Sequence, residues 1–234
     1  MKNAFKYSLR HSIPIMISFI PVGLAYGILM RTAGFGCVTT GLCSLFVFAG
    51  SLQFLMIGFF ISGTTLVSVA VIALLLNSRH IFYGLPFIEK WRDYGAAKGF
   101  LIYALPDEAF SLHCSNDFDD GDENHKKWSY IFDALLTLVY WVAFSVIGAA
   151  AGSLISFDTT GMDFALTALF IVILLEQLKG AGSALPCVLA AVSSVVCLLV
   201  FGASDFILPA LITTVVLLFA FRKIIESGKK EAEE

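Results

Sequence analysis

Long apolar runs alternate with short polar segments along the whole chain. A membrane-spanning helix needs about 20 apolar residues, within a range of about 17–25. Several runs reach that length, whereas the run at residues 99–113 is too short and too polar to cross directly. The pattern predicts an all-α, polytopic membrane protein with about six or seven transmembrane helices and some broken or re-entrant segments. The apolar runs occupy residues 13–30, 38–61, 64–88, 99–113, 128–155, 164–178, 184–201 and 206–221.

Composition supports the same class of protein. The chain has 234 residues, of which 58% are hydrophobic and 14% charged, against about 45–50% and about 25% in soluble domains. We therefore expect a single membrane domain over residues 1–234, with a cytoplasmic N-terminus at 1–12, an acidic loop at 115–127 and a charged cytoplasmic tail at 222–234. The net charge of −3 gives no basic stripe for nucleic acid. The five cysteines lack CxxC spacing, so we predict no metal site and no cofactor.

Three polar clusters interrupt the apolar runs at what should be membrane depth. An arginine at a helix centre costs about 2.5–3.5 kcal/mol on insertion scales. Such a residue therefore needs a paired, buried or wet position, and polar residues of this kind commonly mark a substrate or ion pathway. The clusters contain Gln53, then Asn77, Arg79 and His80, then Asp107 and Glu108.

The charged members suit a zwitterionic substrate. The planar guanidinium of Arg79 fits a carboxylate, and Asp107 or Glu108 could hold an ammonium group or a proton. The imidazole of His80 titrates near neutral pH and can pass a proton. We expect these side chains to meet near one wet cavity, because opposite charges at membrane depth are least costly when paired.

Alternatives stay open for each polar cluster. Arg79 and His80 could end a helix and extend to the headgroups, and the acidic pair could simply begin a helix after a proline. Asn77 and Gln53 could bind substrate backbone groups by hydrogen bonds. Asp133 lies one turn into a predicted helix, so we expect it near the membrane interface.

Small residues and prolines predict where helices pack or bend. Pro21 should kink the first span, because proline removes a backbone hydrogen bond. Gly23 and Gly27 form a small-xxx-small pair on one helix face, which permits close packing of another helix. Gly50, beside a serine inside the second run, favours a broken helix, and a packing face of small residues is the alternative.

Four sequence blocks together resemble the AzlC family of branched-chain amino acid export permeases. They are Pro21-x-Gly23, then residues 48–54 (Phe-Ala-Gly-Ser-Leu-Gln-Phe), 77–84 (Asn-Ser-Arg-His-Ile-Phe-Tyr-Gly) and 107–110 (Asp-Glu-Ala-Phe). The resemblance covers essentially the whole chain. It implies a secondary transporter that exports valine, leucine, isoleucine and perhaps methionine, together with a small membrane partner of the AzlD type.

The alternative function is a channel or pore for ions or small solutes, which would need rings of polar groups. We expect no enzyme activity, because no H-E-x-x-H or G-x-S-x-G motif occurs, and no nucleotide-binding motif is present. Basic residues near the N-terminus, at 89–98 and in the tail predict that both termini lie on the cytoplasmic side of the membrane. We expect this membrane to be the inner membrane of a bacterium.

Overall fold

The computed structural model describes residues 1–118, 121–154, 171, 175 and 185–222. Every regular element within these residues is helical, which confirms the predicted fold class. Helices satisfy their own backbone hydrogen bonds, as a lipid environment requires. The elements are α1 (Lys2–His11), α2 (Ile13–Thr32), α3 (Cys37–Val47), α4 (Gly50–Ser62), α5 (Leu66–Asn77), α6 (Arg79–Gly84), a 3₁₀ turn (Leu85–Phe87), α7 (Ala97–Tyr103), α8 (Asp107–Cys114), α9 (Glu123–Leu154), α10 (Leu185–Asp205) and α11 (Ile207–Ala220).

Four helical stretches in the described residues are long and apolar enough to cross a membrane. The stretch at Leu66–Phe87 includes α5, α6 and the 3₁₀ turn. The predicted total of six or seven spans stays a prediction, because the run at 164–178 lies almost entirely outside the described residues. The four stretches are Ile13–Thr32, Leu66–Phe87, Glu123–Leu154 and Leu185–Gly202, and the shorter apolar helices are Cys37–Val47, Gly50–Ser62 and Pro209–Ala220.

The described residues fall into two compact units. The first contains those of Met1–Gly63 and Asn77–Thr159, and the second contains those of Thr64–Leu76 and Thr160–Glu234. In the second unit α10 packs along α11. All the polar clusters singled out by the sequence belong to the first unit. The expectation of one membrane domain stays a prediction.

The first unit is built around the contact between α2 and α9. A Cβ added to Gly27 would lie 2.0 Å from the Ser145 carbonyl oxygen, and one added to Gly148 would lie 2.4 Å from the Leu24 carbonyl oxygen. Only glycine permits such a close approach of two helix backbones. A Cβ on Gly23 would also be crowded, at 2.7 Å from the Phe144 side chain. The helix α2 continues through Pro21 without interruption.

Three of the predicted apolar runs are broken into two helices each. The run at 38–61 breaks at Phe48, whose φ of 37° is left-handed, a conformation that costs about 1–3 kcal/mol for a residue other than glycine. A second, milder break at Ser78 separates α5 from α6, although the Ser78 dihedral angles stay helical. A third at residues 104–106 separates α7 from α8. A proline at residue 106 is well placed to end one helix and precede the next.

Candidate functional site

The three helix breaks bring polar side chains together in the first unit. Arg79 begins α6 and Asp107 begins α8, while Ser51 lies in the first turn of α4. Arg79 and Asp107 follow a break directly and Ser51 follows one within three residues, so their positions depend on where the preceding helices stop. The acidic Asp107 also suits the first turn of α8, because the helix dipole favours negative charge there.

An ion pair forms the centre of this cluster. The Arg79 Nη1 atom lies 2.8 Å from the Asp107 Oδ2 atom, with both side chains half-buried. The other terminal nitrogen of Arg79, Nη2, donates a hydrogen bond to the Ser51 hydroxyl at 3.4 Å. The pair thus links α4, α6 and α8. The sequence alone did not single out Ser51, although it lies in the Gly-Ser-Leu-Gln-Phe block.

Aromatic and imidazole side chains flank the ion pair. The Nε2 atom of His80 lies 4.0 Å from the Asp107 Oδ1 atom, and the His80 ring meets the Tyr83 ring edge-on at 5.6 Å. Tyr83 in turn stacks on Phe110 with ring centroids 4.6 Å apart. These contacts hold α6 against α8 beside the charges. Neither aromatic residue was singled out by the sequence, because an aromatic in an apolar run gives no polar signal.

The ion pair leaves two buried atoms with unused hydrogen-bonding capacity. The Nε atom of Arg79 and the Oδ1 atom of Asp107 have no hydrogen-bond partner among the described residues. Unpaired buried polar atoms are rare and costly, at about 1–3 kcal/mol each. One is a donor and the other an acceptor, so together they match a ligand that carries both an anionic and a cationic group.

Glu108 and Asn77 lie at the edge of the cluster. Glu108 follows Asp107 in α8, which lies outside the four candidate spans. Burial raises the pKa of the Glu108 carboxyl, the neighbouring Asp107 charge raises it further, and the Arg79 charge opposes the change. Asn77 is the half-buried last residue of α5. The structure therefore brings Arg79, His80 and Asp107 together and places Glu108 beside them.

Gln53 has its described contacts elsewhere, in the packing of α4 on α9. Its side chain is fully buried. The Oε1 atom accepts a hydrogen bond from the Trp141 indole at 2.8 Å, and Nε2 donates one to the Ser44 hydroxyl at 3.2 Å. A Cβ on Gly50 would also meet Trp141, at an ordinary contact distance of 3.7 Å. These are contacts of a kind that helix packing makes, and the substrate-binding role of Gln53 stays a prediction.

An open cavity of about 250 Å³ extends from His80. Its walls are mainly apolar side chains of α6, the 3₁₀ turn, the following segment and α7. Its volume is below the roughly 300–1,000 Å³ typical of sites for drug-sized ligands, so it suits a smaller solute. Among the described residues, no group of His, Cys, Asp and Glu side chains could hold a metal ion. The lining residues are His80, Ile81, Gly84, Leu85, Phe87, Ile88, Trp91, Lys98 and Ile102.

The helices and the charged cluster define a multi-pass helical membrane protein with a polar site at the breaks of its helices. The family described as "AzlC protein" matches residues 14–155. The "Branched-chain amino acid transport protein AzlC" of Bacillus subtilis is 34% identical over 97% of this chain and 88% of that protein. The chain belongs to the AzlC family.

Other relatives are also membrane proteins by name. An "Uncharacterized membrane protein" of Helicobacter pylori strain 26695 is 34% identical over 96% of this chain and 97% of that protein. "Inner membrane protein YgaZ" of Escherichia coli is 28% identical over 64% of this chain and 61% of that protein. No solved structure matches the chain.

Proposed function

We propose that this protein is a secondary transporter that exports branched-chain amino acids across the bacterial cell membrane. Amino acid transport is the coarser part of this proposal, and it is supported by family membership and by the name of the Bacillus subtilis relative. Export, the particular substrates and a small AzlD-type partner subunit rest on the sequence resemblance. A transporter of this family needs no enzyme activity of its own.

The observation that carries the proposal is the Arg79–Asp107 pair with its two unused buried atoms. The Nε donor of Arg79 is free to bind a substrate carboxylate, and the Oδ1 acceptor of Asp107 is free to bind the substrate ammonium. In the empty site the two side chains satisfy each other at 2.8 Å. A bound zwitterion would replace part of that interaction. When the substrate leaves, Arg79 and Asp107 pair with each other again, so neither charge is left uncompensated.

The cavity beside His80 would hold the branched aliphatic side chain of the substrate. The walls offer mainly apolar surface, and burying an aliphatic side chain is worth about 1.5–3 kcal/mol. A polar or charged side chain would lose its hydration without a matching partner. The site would therefore prefer leucine, isoleucine and valine to polar amino acids.

Exchange of labelled leucine in proteoliposomes tests this function. We expect Arg79→Lys to lower exchange by at least about tenfold, because an ammonium cannot form the bidentate fork and a hydrogen bond to a charged group is worth about 1.5–3 kcal/mol. Asp107→Asn should lower it by a similar factor. Arg92→Lys is the matched control, since Arg92 makes a highly exposed pair with Glu89 at 3.9 Å and should transport like the wild type.

The same assay separates the proposal from its alternatives. A channel would release labelled leucine without accelerated exchange against unlabelled leucine outside. Reconstitution with and without the small partner subunit tests the partnership, and robust efflux from this chain alone would contradict it. Wild-type exchange rates in the Arg79→Lys variant would contradict the assigned substrate site.

A further inference from the structure

A second group of buried polar side chains lies where α1 and the segment after α8 meet α9. Asp133, about three turns into α9, is fully buried. Its Oδ2 atom accepts a hydrogen bond from the Asn116 amide at 2.8 Å and lies 3.4 Å from the His11 Nδ1 atom. Its Oδ1 atom has no hydrogen-bond partner among the described residues. An isolated carboxylate here would cost several kcal/mol, so its charge must be compensated by His11 or removed by a proton.

Ser115 is a second hydrogen-bonding partner of the His11 imidazole. The Ser115 hydroxyl oxygen lies 3.1 and 3.2 Å from the carbonyl oxygens of Ser111 and Leu112, and 3.2 Å from the His11 Nε2 atom. If the hydroxyl donates to a carbonyl oxygen, Nε2 donates to Ser115, and the pair holds one proton more than a neutral imidazole beside a carboxylate. If the hydroxyl donates to Nε2, a neutral imidazole donates its Nδ1 proton to a charged Asp133. The same geometry therefore fits the pair with and without the extra proton.

The imidazole lies between an open cavity and the buried carboxylate. His11 is 18% exposed, whereas Asp133 is 0% exposed. Along the outer face of α1, an open cavity of about 510 Å³ includes His11 in its lining. Of the two side chains, only His11 could exchange protons with water in such a cavity, because Asp133 is fully buried. The described residues that line the cavity are Asn3, Lys6, Tyr7, Arg10 and His11.

Other titratable groups surround the pair on every packed element. On α1, the Tyr7 ring lies 5.0 Å from the His11 ring and its hydroxyl accepts a hydrogen bond from the Asp117 backbone. On α9, Tyr130 precedes Asp133 by one turn, and its ring lies 5.3 Å from that of His113 on α8. The cationic neighbours on the cavity side are Lys6 and Arg10.

We propose that His11 and Asp133 form a proton-binding site that makes transport depend on pH, separate from the Arg79–Asp107 pair. This proposal rests on the proposed transport function. A proton from cavity water binds a neutral His11, and the proton on Nδ1 passes to the Asp133 Oδ2 atom, which leaves a neutral imidazole and a neutral carboxylic acid. Release is the reverse: Asp133 returns its proton to Nδ1 and His11 loses one proton to water. The site therefore binds and releases one proton as it titrates.

Leucine flux in proteoliposomes at varied pH tests this proton-binding site. For the wild type we expect net efflux to change by up to about tenfold per pH unit within the titration range. Asp133→Asn and His11→Gln should reduce that dependence to less than about twofold per pH unit, while leucine exchange at matched pH stays within about twofold of the wild type. Ser12→Ala and Tyr140→Phe are matched controls, because the Ser12 hydroxyl, next to His11 in the chain, meets the Tyr140 hydroxyl of α9 at 3.2 Å, and neither group belongs to the proposed site.

A direct titration keeps the proposal testable if a variant fails to fold. The chain has four histidines, so His11→Gln identifies the His11 imidazole ¹⁵N resonance of the full-length protein. We expect that resonance to titrate over the pH range in which wild-type efflux changes, and Asp133→Glu to retain the step.

Two results would overturn the proposed proton-binding site. They are an unchanged pH dependence in Asp133→Asn, and a His11 resonance that stays constant while efflux changes. If the wild type showed no leucine exchange, the proposed transport function itself would be refuted. The exchange measurement tests that function separately from the proton-binding site.

Discussion

Gly27→Ala should destabilise the protein more than any other glycine-to-alanine change within the described helices. The added Cβ would lie 2.0 Å from the Ser145 carbonyl oxygen, 2.5 Å from the Ala149 nitrogen and 2.8 Å from the Gly148 carbonyl carbon. All three atoms belong to the backbone of α9, so no side-chain rotation can relieve the overlap. An ordinary contact begins at 3.4 Å, and α2 and α9 would have to separate by more than an ångström.

The expected cost follows from this separation. Overpacking typically costs about 1–3 kcal/mol and occasionally more, and a rigid backbone on both sides favours the upper end. We expect a loss of at least about 3 kcal/mol in the free energy of unfolding. At about 2–4 °C per kcal/mol for a chain of this size, the melting temperature should fall by about 6–12 °C.

Thermal unfolding of detergent-purified variants measures this effect. Gly58→Ala is the matched control, because it also lies in a helix but its added Cβ meets nothing within 4 Å; its higher helix propensity should stabilise it by up to about 1 kcal/mol. Gly152→Ala should fall between the two, since its nearest contact is the Arg31 side chain at 3.2 Å. A Gly27→Ala protein as stable as Gly58→Ala would refute the close-packing argument.

Two further predictions concern buried polar groups in the first unit. Gln53→Leu should lower the free energy of unfolding by about 1–3 kcal/mol, because it leaves the buried Trp141 indole without its acceptor. Leucine exchange per folded molecule should not change. A large loss of exchange would instead support a place for Gln53 in the substrate site. Burial, aided by the charge of His11, lowers the pKa of His113 to about 3. Below about pH 6.5 the unfolded chain therefore binds more protons at this residue than the folded chain does. The free energy of unfolding should fall by up to about 1.4 kcal/mol per pH unit as the pH drops toward 3. Chemical denaturation of the wild type and His113→Phe over that range should show a shallower loss in the variant, and equal slopes would contradict this account.

The apolar pattern by itself determined the class of protein, and it pointed to a broken helix beside Gly50. Long apolar runs must become helices in lipid, because no other open structure satisfies the backbone. A run that contains Gly50 and Ser51, or Arg79 and His80, cannot continue as a lipid-facing helix without cost. These constraints are local, so they can be read from neighbouring residues. The same local reasoning marked Gly27 as a packing position.

Only the tertiary structure decided which polar groups meet. Gln53 and Arg79 appear equally polar within apolar runs, yet one bonds Trp141 on α9 and the other pairs with Asp107. Asp133 was expected near the interface, and the structure buries its side chain beside α1. Such pairings join residues far apart in the chain, and they depend on how the helices pack and rotate. Hydrophobic periodicity specifies which face of a helix is buried, but the long-range contacts of that face arise only when the helices assemble.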